Sequence, residues 1–359
     1  MKTGIITFHR ALNYGAILQS YALQQIINSF DIPCEIIDYR CKFIEELYKP
    51  FSVGHCADFS SKIKKCIKSP FLAKKRKAFD AFTKKYMTLT AKCSTKAELL
   101  SVCKELDTVV SGSDQVFNPE AAGGDFSYFL DFAPPDIKKI AYGGSLGYSA
   151  FPEMYEAQCI EYLEKFDNIS IREKSACDLL EKLLGKDVQN VLDPVLAVDE
   201  SVWKKLAKKP VNLPDKYILV YLMEGCEHCI GKARKMAKEN NCGLVLINPN
   251  LKQLFSCRDF VMYPYASPEE FLGIFESAQA VVTNSFHGVA FSLVFRKEFY
   301  AEASNVKKMS RIADLLELFR LSDRVLPNNV SYKVDRENVE KVLCEERKKS
   351  VAWLKDALT

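Results

Sequence analysis

Short apolar runs recur along this chain, and most of them empty into a small polar or glycine-bearing loop before a stretch of helical period. Residues 4–9 (GIITFH) form a β-branched run that predicts a first buried strand. Residues 10–15 (RALNYG) make a polar turn in which Asn13 or Gly15 can start a helix. Ile17, Tyr21, Leu23, Ile27 and Phe30 then mark a wide apolar face over residues 16–30, and residues 34–39 (CEIIDY) read as a second strand. Further strands are predicted at 108–112 (TVVSG), 139–143 (KIAYG), 168–172 (NISIR) and 188–192. The pattern restarts at 217–222 (YILVYL), 243–248 (GLVLIN), 260–263, 278–282 and 297–301. Helices are predicted between them, among them 267–277, with Ser267 placed to cap it and Pro268 in its first turn. A long charged helix over 335–358 closes the chain.

Alternating strands and helices of this kind predict an α/β fold: two doubly wound Rossmann-like domains facing across a cleft. The expected division is 1–192, 193–334 and a C-terminal helix 335–359, with the junction between Leu192 and Lys216. In such sheets ligands bind outside the carboxyl ends of the strands. That rule directs attention to His9 and Asn13 after the first strand, and to Asp114 and Gln115 in SDQVFNP after the third. A plainer reading of Asp114 is a turn cap. No G-x-G-x-x-G opens the first helix, so a dinucleotide fingerprint is lacking. Arg172 ends a strand just before a helix. That suits a planar fork meant for carboxylate or phosphate, or a surface ion pair with Glu173.

The loop that carries the most chemistry is 283–296 (TNSFHGVAFSLVFR). A buried strand ending in Thr-Asn-Ser and turning into an apolar helix sets His287, one of four histidines, where backbone N–H groups and a helix dipole can hold an anion. The competing reading is a histidine satisfied inside a helix start. Arg296, at that helix's end, serves the dipole in any case.

Composition changes the picture little. Apolar residues make up 48% of the 359 and charged residues 27%, which describes a globular chain. A net charge of +4 is too small to argue for nucleic acid, and none is expected as a partner. Neither a signal-peptide pattern nor a membrane-length apolar run is seen, so the default compartment is the cytoplasm. Residues 61–85 hold ten lysines and arginines against Asp80, with Phe79, Phe82 and Tyr86 at helical spacing. This reads as a solvated face over an apolar stripe, with an anionic polymer or membrane surface as the sharper alternative. Thirteen cysteines at irregular spacing suit buried thiols in a reducing compartment. Cys226 and Cys229 bracket CEHC, but no second CxxC accompanies them, so neither a metal nor a redox role is expected there.

Six segments, in order, resemble the polysaccharide pyruvyl transferase family: GIITFHRALNYGAILQSYALQ, VSGSDQVFNP, KKIAYGGSLG, ISIREKSA, VLDPVLAV and TNSFHGVAFSLVFRKEFYA. The resemblance implies a fold similar to the two-domain GT-B glycosyltransferases. It also implies transfer of a pyruvyl group from phosphoenolpyruvate to sugar hydroxyls, giving a pyruvate ketal and phosphate, with no cofactor and no metal. The acceptor would be a sugar or lipid-linked saccharide of a surface polysaccharide. A lipid-linked acceptor would be met by peripheral association with the inner membrane face. The family's histidine motif falls on His287, the expected general acid. Where some members carry Arg-Leu-His, this chain has Ser285-Phe286-His287, without the arginine. Candidate donor contacts are Arg172, Asn284, Ser285, Gly288 and Arg311, with Arg296 and Lys297 as further cations. His9, Asn13, Asp114 and Gln115 are assigned to the acceptor side. Alternatives are a nucleotide-sugar glycosyltransferase of the same architecture, a catalytically silent glycan-binding member, and a CxxC redox protein.

Overall fold

The computed structural model describes residues 2–50, 59–302, 306–328 and 333–359; side chains at 59–61, 64, 65, 68 and 306–310 are not described. Part of the basic run, and Lys307 and Lys308, therefore lie outside the described side chains.

The chain forms two compact units. The first comprises Met1–Tyr48, Thr83–Val198 and Leu343–Thr359; the second comprises Lys49–Phe82 and Asp199–Val342. The strands of the first are β1 (Thr3–Ile6), β2 (Cys34–Ile36), β3 (Thr108–Asp114), β4 (Lys138–Gly144), β5 (Asn168–Ile171) and β6 (Gln189–Asn190). They form one parallel sheet in the order β2-β1-β3-β4-β5-β6. The second unit holds β7 (Tyr217–Tyr221), β8 (Gly243–Ile247), β9 (Val261–Tyr263), β10 (Ala280–Thr283) and β11 (Glu298–Ala301), also parallel, in the order β11-β10-β7-β8-β9. Parallel strands covered on both faces need continuous apolar sequence. Accordingly β7 and β10 are buried at every position.

Local sequence sets the helix starts. Asn13 caps Tyr14–Asn28, its side chain accepting from the N–H groups of Gly15 (2.9 Å) and Ala16 (3.3 Å). Ser267 and Glu270 form a reciprocal capping box on Pro268–Ser277, as the sequence predicts. Interlocked aromatics fill each core: Phe117, Phe126, Phe129 and Phe166 in the first unit, and Trp203, Phe271, Phe275 and Phe291 in the second.

A division into consecutive segments misses two exchanges. Residues of the helix Phe59–Tyr86 up to Phe82 belong to the second unit, where Lys75 Nζ donates to Asn248 Oδ1 at 3.1 Å and Phe71 stacks on Tyr265. The last helix, Arg336–Leu358, ends in the first unit. There Ser350 Oγ accepts from Leu192 N at 2.9 Å and Arg347 Nε donates to Leu196 O at 2.7 Å. Hydrogen bonds and packing between residues far apart in sequence fix both exchanges, and local patterning does not encode them.

Candidate active site

Strand order locates one switch point in each unit, where connections leave a sheet in opposite directions: between β1 and β3, and between β7 and β10. The loops that carry His9 and Asn13, Asp114 and Gln115, and Asn284 and Ser285 each leave one of these four strands, whereas Arg172 follows β5.

In the second unit the loop after β10 is tied down by Asn284. Its Oδ1 accepts from Met223 N at 2.8 Å and its Nδ2 donates to Glu224 O at 3.1 Å. The loops on both sides of the switch point are thereby joined. Thr283 Oγ1 donates to Tyr221 O at 2.6 Å and accepts from Ser285 N at 3.1 Å. Ser285 is buried and precedes the helix Phe286–Val294, and its side chain makes no capping bond. His287 occupies the first turn of that helix, 5% exposed, its ring edge-on to Phe286. Gly288 follows because nothing larger fits: a Cβ there would lie 2.1 Å from Thr283 Oγ1.

Met223 and Glu224 also line a cavity of about 150 Å³, together with Lys75, Asn248, Asn250 and Gln253. Lys75 is only 5% exposed, and burial pushes its ammonium down to about 7. The sequence reading assigned this lysine to a solvated face and so missed it. Lys75, Phe79, Phe82 and Tyr86 follow one another at helical spacing, and that spacing already sets Lys75 on the apolar stripe. The remaining cations differ in surroundings. Arg296 pairs with Glu200 and Glu340, and Lys297 Nζ donates to Glu276 O. Arg311 lies in the helix Val306–Leu318.

In the first unit the expected acceptor-side residues do not form one open surface. His9 needs correction, since its side chain is fully buried. Its Nε2 lies 3.1 Å from Asp38 Oδ1 and its Nδ1 lies 3.2 Å from Thr7 O. Both ring nitrogens thus face oxygen acceptors inside the unit. Burial favours the neutral Asp38 carboxyl, but hydrogen bonds from His9 and Arg40 outweigh it and hold the group below the usual carboxylate range. Asn13 serves as the helix cap already described. Asp114 sits at the end of β3 with φ +75°, and its Oδ1 accepts from Gln115 N at 2.9 Å. Gln115 Oε1 accepts from Asn118 Nδ2 at 3.1 Å and packs against Gly147.

Arg172 is neither a surface ion-pair partner nor an open fork. Its side chain is 1% exposed and binds Asp193 at 2.6 Å, Glu173 at 3.1 Å and Asp114 at 3.5 Å. Three carboxylates around one guanidinium would repel a donor phosphate, so the donor-side expectation for Arg172 is withdrawn. Although burial opposes it, this company holds Arg172 firmly in its charged form. Asp193 also accepts from Ser113 Oγ at 2.9 Å and from Val195 N at 2.9 Å, linking β3, β5 and the turn after β6. The Asp-Pro pair within VLDPVLAV is the sequence signal for this residue.

Two parallel-sheet units with polar groups gathered at the strand ends define an α/β protein of the GT-B fold class. The chain is similar over its whole length to UDP-GlcNAc 2-epimerase from Methanocaldococcus jannaschii in complex with UDP-GlcNAc and UDP: 14% identity, TM-score 0.54, covering 100% of this chain and 99% of that one. It is also similar to UDP-N-acetylglucosamine 2-epimerase from Rickettsia bellii: 12% identity, TM-score 0.55, covering 100% of this chain and 96% of that one. A third likeness is to a Thermobaculum terrenum O-GlcNAc transferase mutant: 12% identity, TM-score 0.51, covering 100% of this chain and 66% of that one. Identities this low establish fold and no more. The chain itself belongs to the polysaccharide pyruvyl transferase family, whose model matches residues 13–305. None of the curated proteins matches its sequence. Among the described residues, no helix is long and apolar enough to cross a membrane.

Proposed function

We propose that this transferase moves the pyruvyl group of phosphoenolpyruvate onto two hydroxyls of a sugar or lipid-linked saccharide, with the donor held at the β7/β10 rim. The observation that carries the reading is His287 at a switch point of a chain in the pyruvyl transferase family. His287 delivers a proton to the methylene carbon of the donor, making it a methyl group and leaving positive charge at the adjacent carbon. One sugar hydroxyl attacks that carbon, and its proton passes to His287, which restores the acid. A second hydroxyl then displaces phosphate, which leaves with the remaining proton, and the ketal is complete. An imidazole in the first turn of a helix, beside N–H groups that favour an anion, suits this work.

Donor charge is offset by first-turn N–H groups of the helix Phe286–Val294 and by Lys75 in the adjoining cavity. We assign Lys75, on the wall of the cavity beside the β7 loop, as a candidate cation in a chain that lacks an arginine before His287. An arriving anion raises the affinity of its amine for a proton, so donor binding takes up a proton near neutral pH. Asn284 and Ser285 hold the loop, and Gly288 lets its helix sit close on β10. A lipid-linked acceptor would bring the enzyme to the inner membrane face.

Thermal unfolding in the presence of ligands tests the donor. Phosphoenolpyruvate should raise the melting temperature of the wild type and not of Lys75→Met. Protection by nucleotide sugars alone would instead favour glycosyl transfer, the activity class of one fold relative.

A further inference from the structure

The loop after β7 ends at Cys226, which caps the helix Glu227–Glu239, and Glu227, His228 and Cys229 form that helix's first turn. Spacing alone supplies two thiols. The fold adds a third group from far along the chain. Glu302 follows β11, its N–H bonded to Thr283 O at 2.8 Å. The two sulfurs and a Glu302 carboxylate oxygen all lie within 4.8 Å of one another. Cys229 and Glu302 are buried and Cys226 is half-buried. His228, an exposed side chain, brings its Nδ1 to 4.0 Å from Glu302 Oε2.

Two sulfurs, a carboxylate oxygen and an imidazole nitrogen are a ligand set for a borderline-soft divalent ion. In a tetrahedral zinc site, sulfur and oxygen ligands stand roughly 3.5 Å apart, so small side-chain rotations suffice to close the set. The electrostatics point the same way. A dithiol meant for exchange gains nothing from a buried carboxylate, whose charge opposes thiolate formation. With a divalent cation between them, the same carboxylate becomes a partner. The Cys229 N–H donates to Cys226 Sγ at 3.2 Å, so the backbone already holds the two residues of the pair together.

We propose that Cys226, Cys229 and Glu302, with His228 closing the fourth position, form a binding site for a zinc-type divalent cation. Binding releases the thiol protons to solvent. Because β10 lies between β7 and β11, the ion would tie the loops on either side of the His287 loop, acting as a staple on that rim.

Titration of the chelator-stripped full-length protein with Co²⁺ tests this. One equivalent should give the visible bands of tetrahedral cobalt with thiolate charge transfer, and Zn²⁺ should displace it and raise the melting temperature. Cys226→Ser/Cys229→Ser should abolish the spectrum. Glu302→Gln leaves both thiols in place and should weaken cobalt binding at least about tenfold, the scale on which even outer-shell partners act. The proposal is overturned by the lack of any cobalt spectrum in the wild type. It is equally overturned by a spectrum that survives the double substitution, which would assign the metal to thiols such as the exposed Cys66 and Cys344.

Discussion

Gly288 is where the helix bearing His287 presses on β10, and a single methyl group decides whether it can. Gly288→Ala would drive a Cβ to within 2.1 Å of Thr283 Oγ1, the hydroxyl that bridges Tyr221 O and Ser285 N. Overpacking of this kind costs about 1–3 kcal/mol. A lower urea midpoint at unchanged slope, together with loss of turnover, is the expected result. Lys75 makes a second prediction at this scale. Its folded pKa of about 7 lies below the ~10.4 of an unfolded lysine, so between those values the unfolded chain binds more protons. This group's contribution therefore makes stability rise with pH from about 7 to about 10.4, and the full burial cost is present below 7. Lys75→Met should remove that rise, as read from urea unfolding across the window. An unchanged pH dependence would show that the ammonium is not buried as described.

At the scale of elements, the site is a joint between loops. Asn284 clasps the β7 loop through two hydrogen bonds to its backbone. Asn284→Ala should cost about 1–2 kcal/mol at roughly 1 kcal/mol per bond, and should lower kcat/KM more than a surface substitution does. Asn284→Asp keeps the acceptor for Met223 N and should be the milder variant. In the first unit, Arg172 organises the strand ends. Arg172→Met strands Asp114, Glu173 and Asp193 together in a buried site, with an expected loss of about 3–5 kcal/mol in chemical denaturation. The elements themselves were legible in the sequence because parallel strands are unbroken apolar runs and helix caps are local. The roles of Arg172 and His9 were not legible. A strand-end arginine looks the same whether it faces a ligand or three carboxylates, and Asp38 and Asp193 reach those residues only through tertiary contacts.

For the whole molecule, two α/β modules and a transferase family could be read from segment order, since six motifs keep their sequence over most of the chain. The composition of the units could not, because residues up to Phe82 and from Leu343 onward are assigned by contacts distant in sequence. His287, Asn284 and Gly288 could be singled out from the strand-to-helix pattern around them, whereas the charge of Lys75 disguised a buried position. The central claim is that His287 protonates a phosphoenolpyruvate donor at this rim. The most direct measurement is phosphate release from phosphoenolpyruvate over a panel of sugar and lipid-linked sugar acceptors, for wild type and His287→Gln. Acceptor-dependent release by the wild type, reduced about 10²–10⁴-fold in a folded His287→Gln, is the result predicted. Full turnover in His287→Gln, or transfer that proceeds only from a nucleotide sugar, would contradict it.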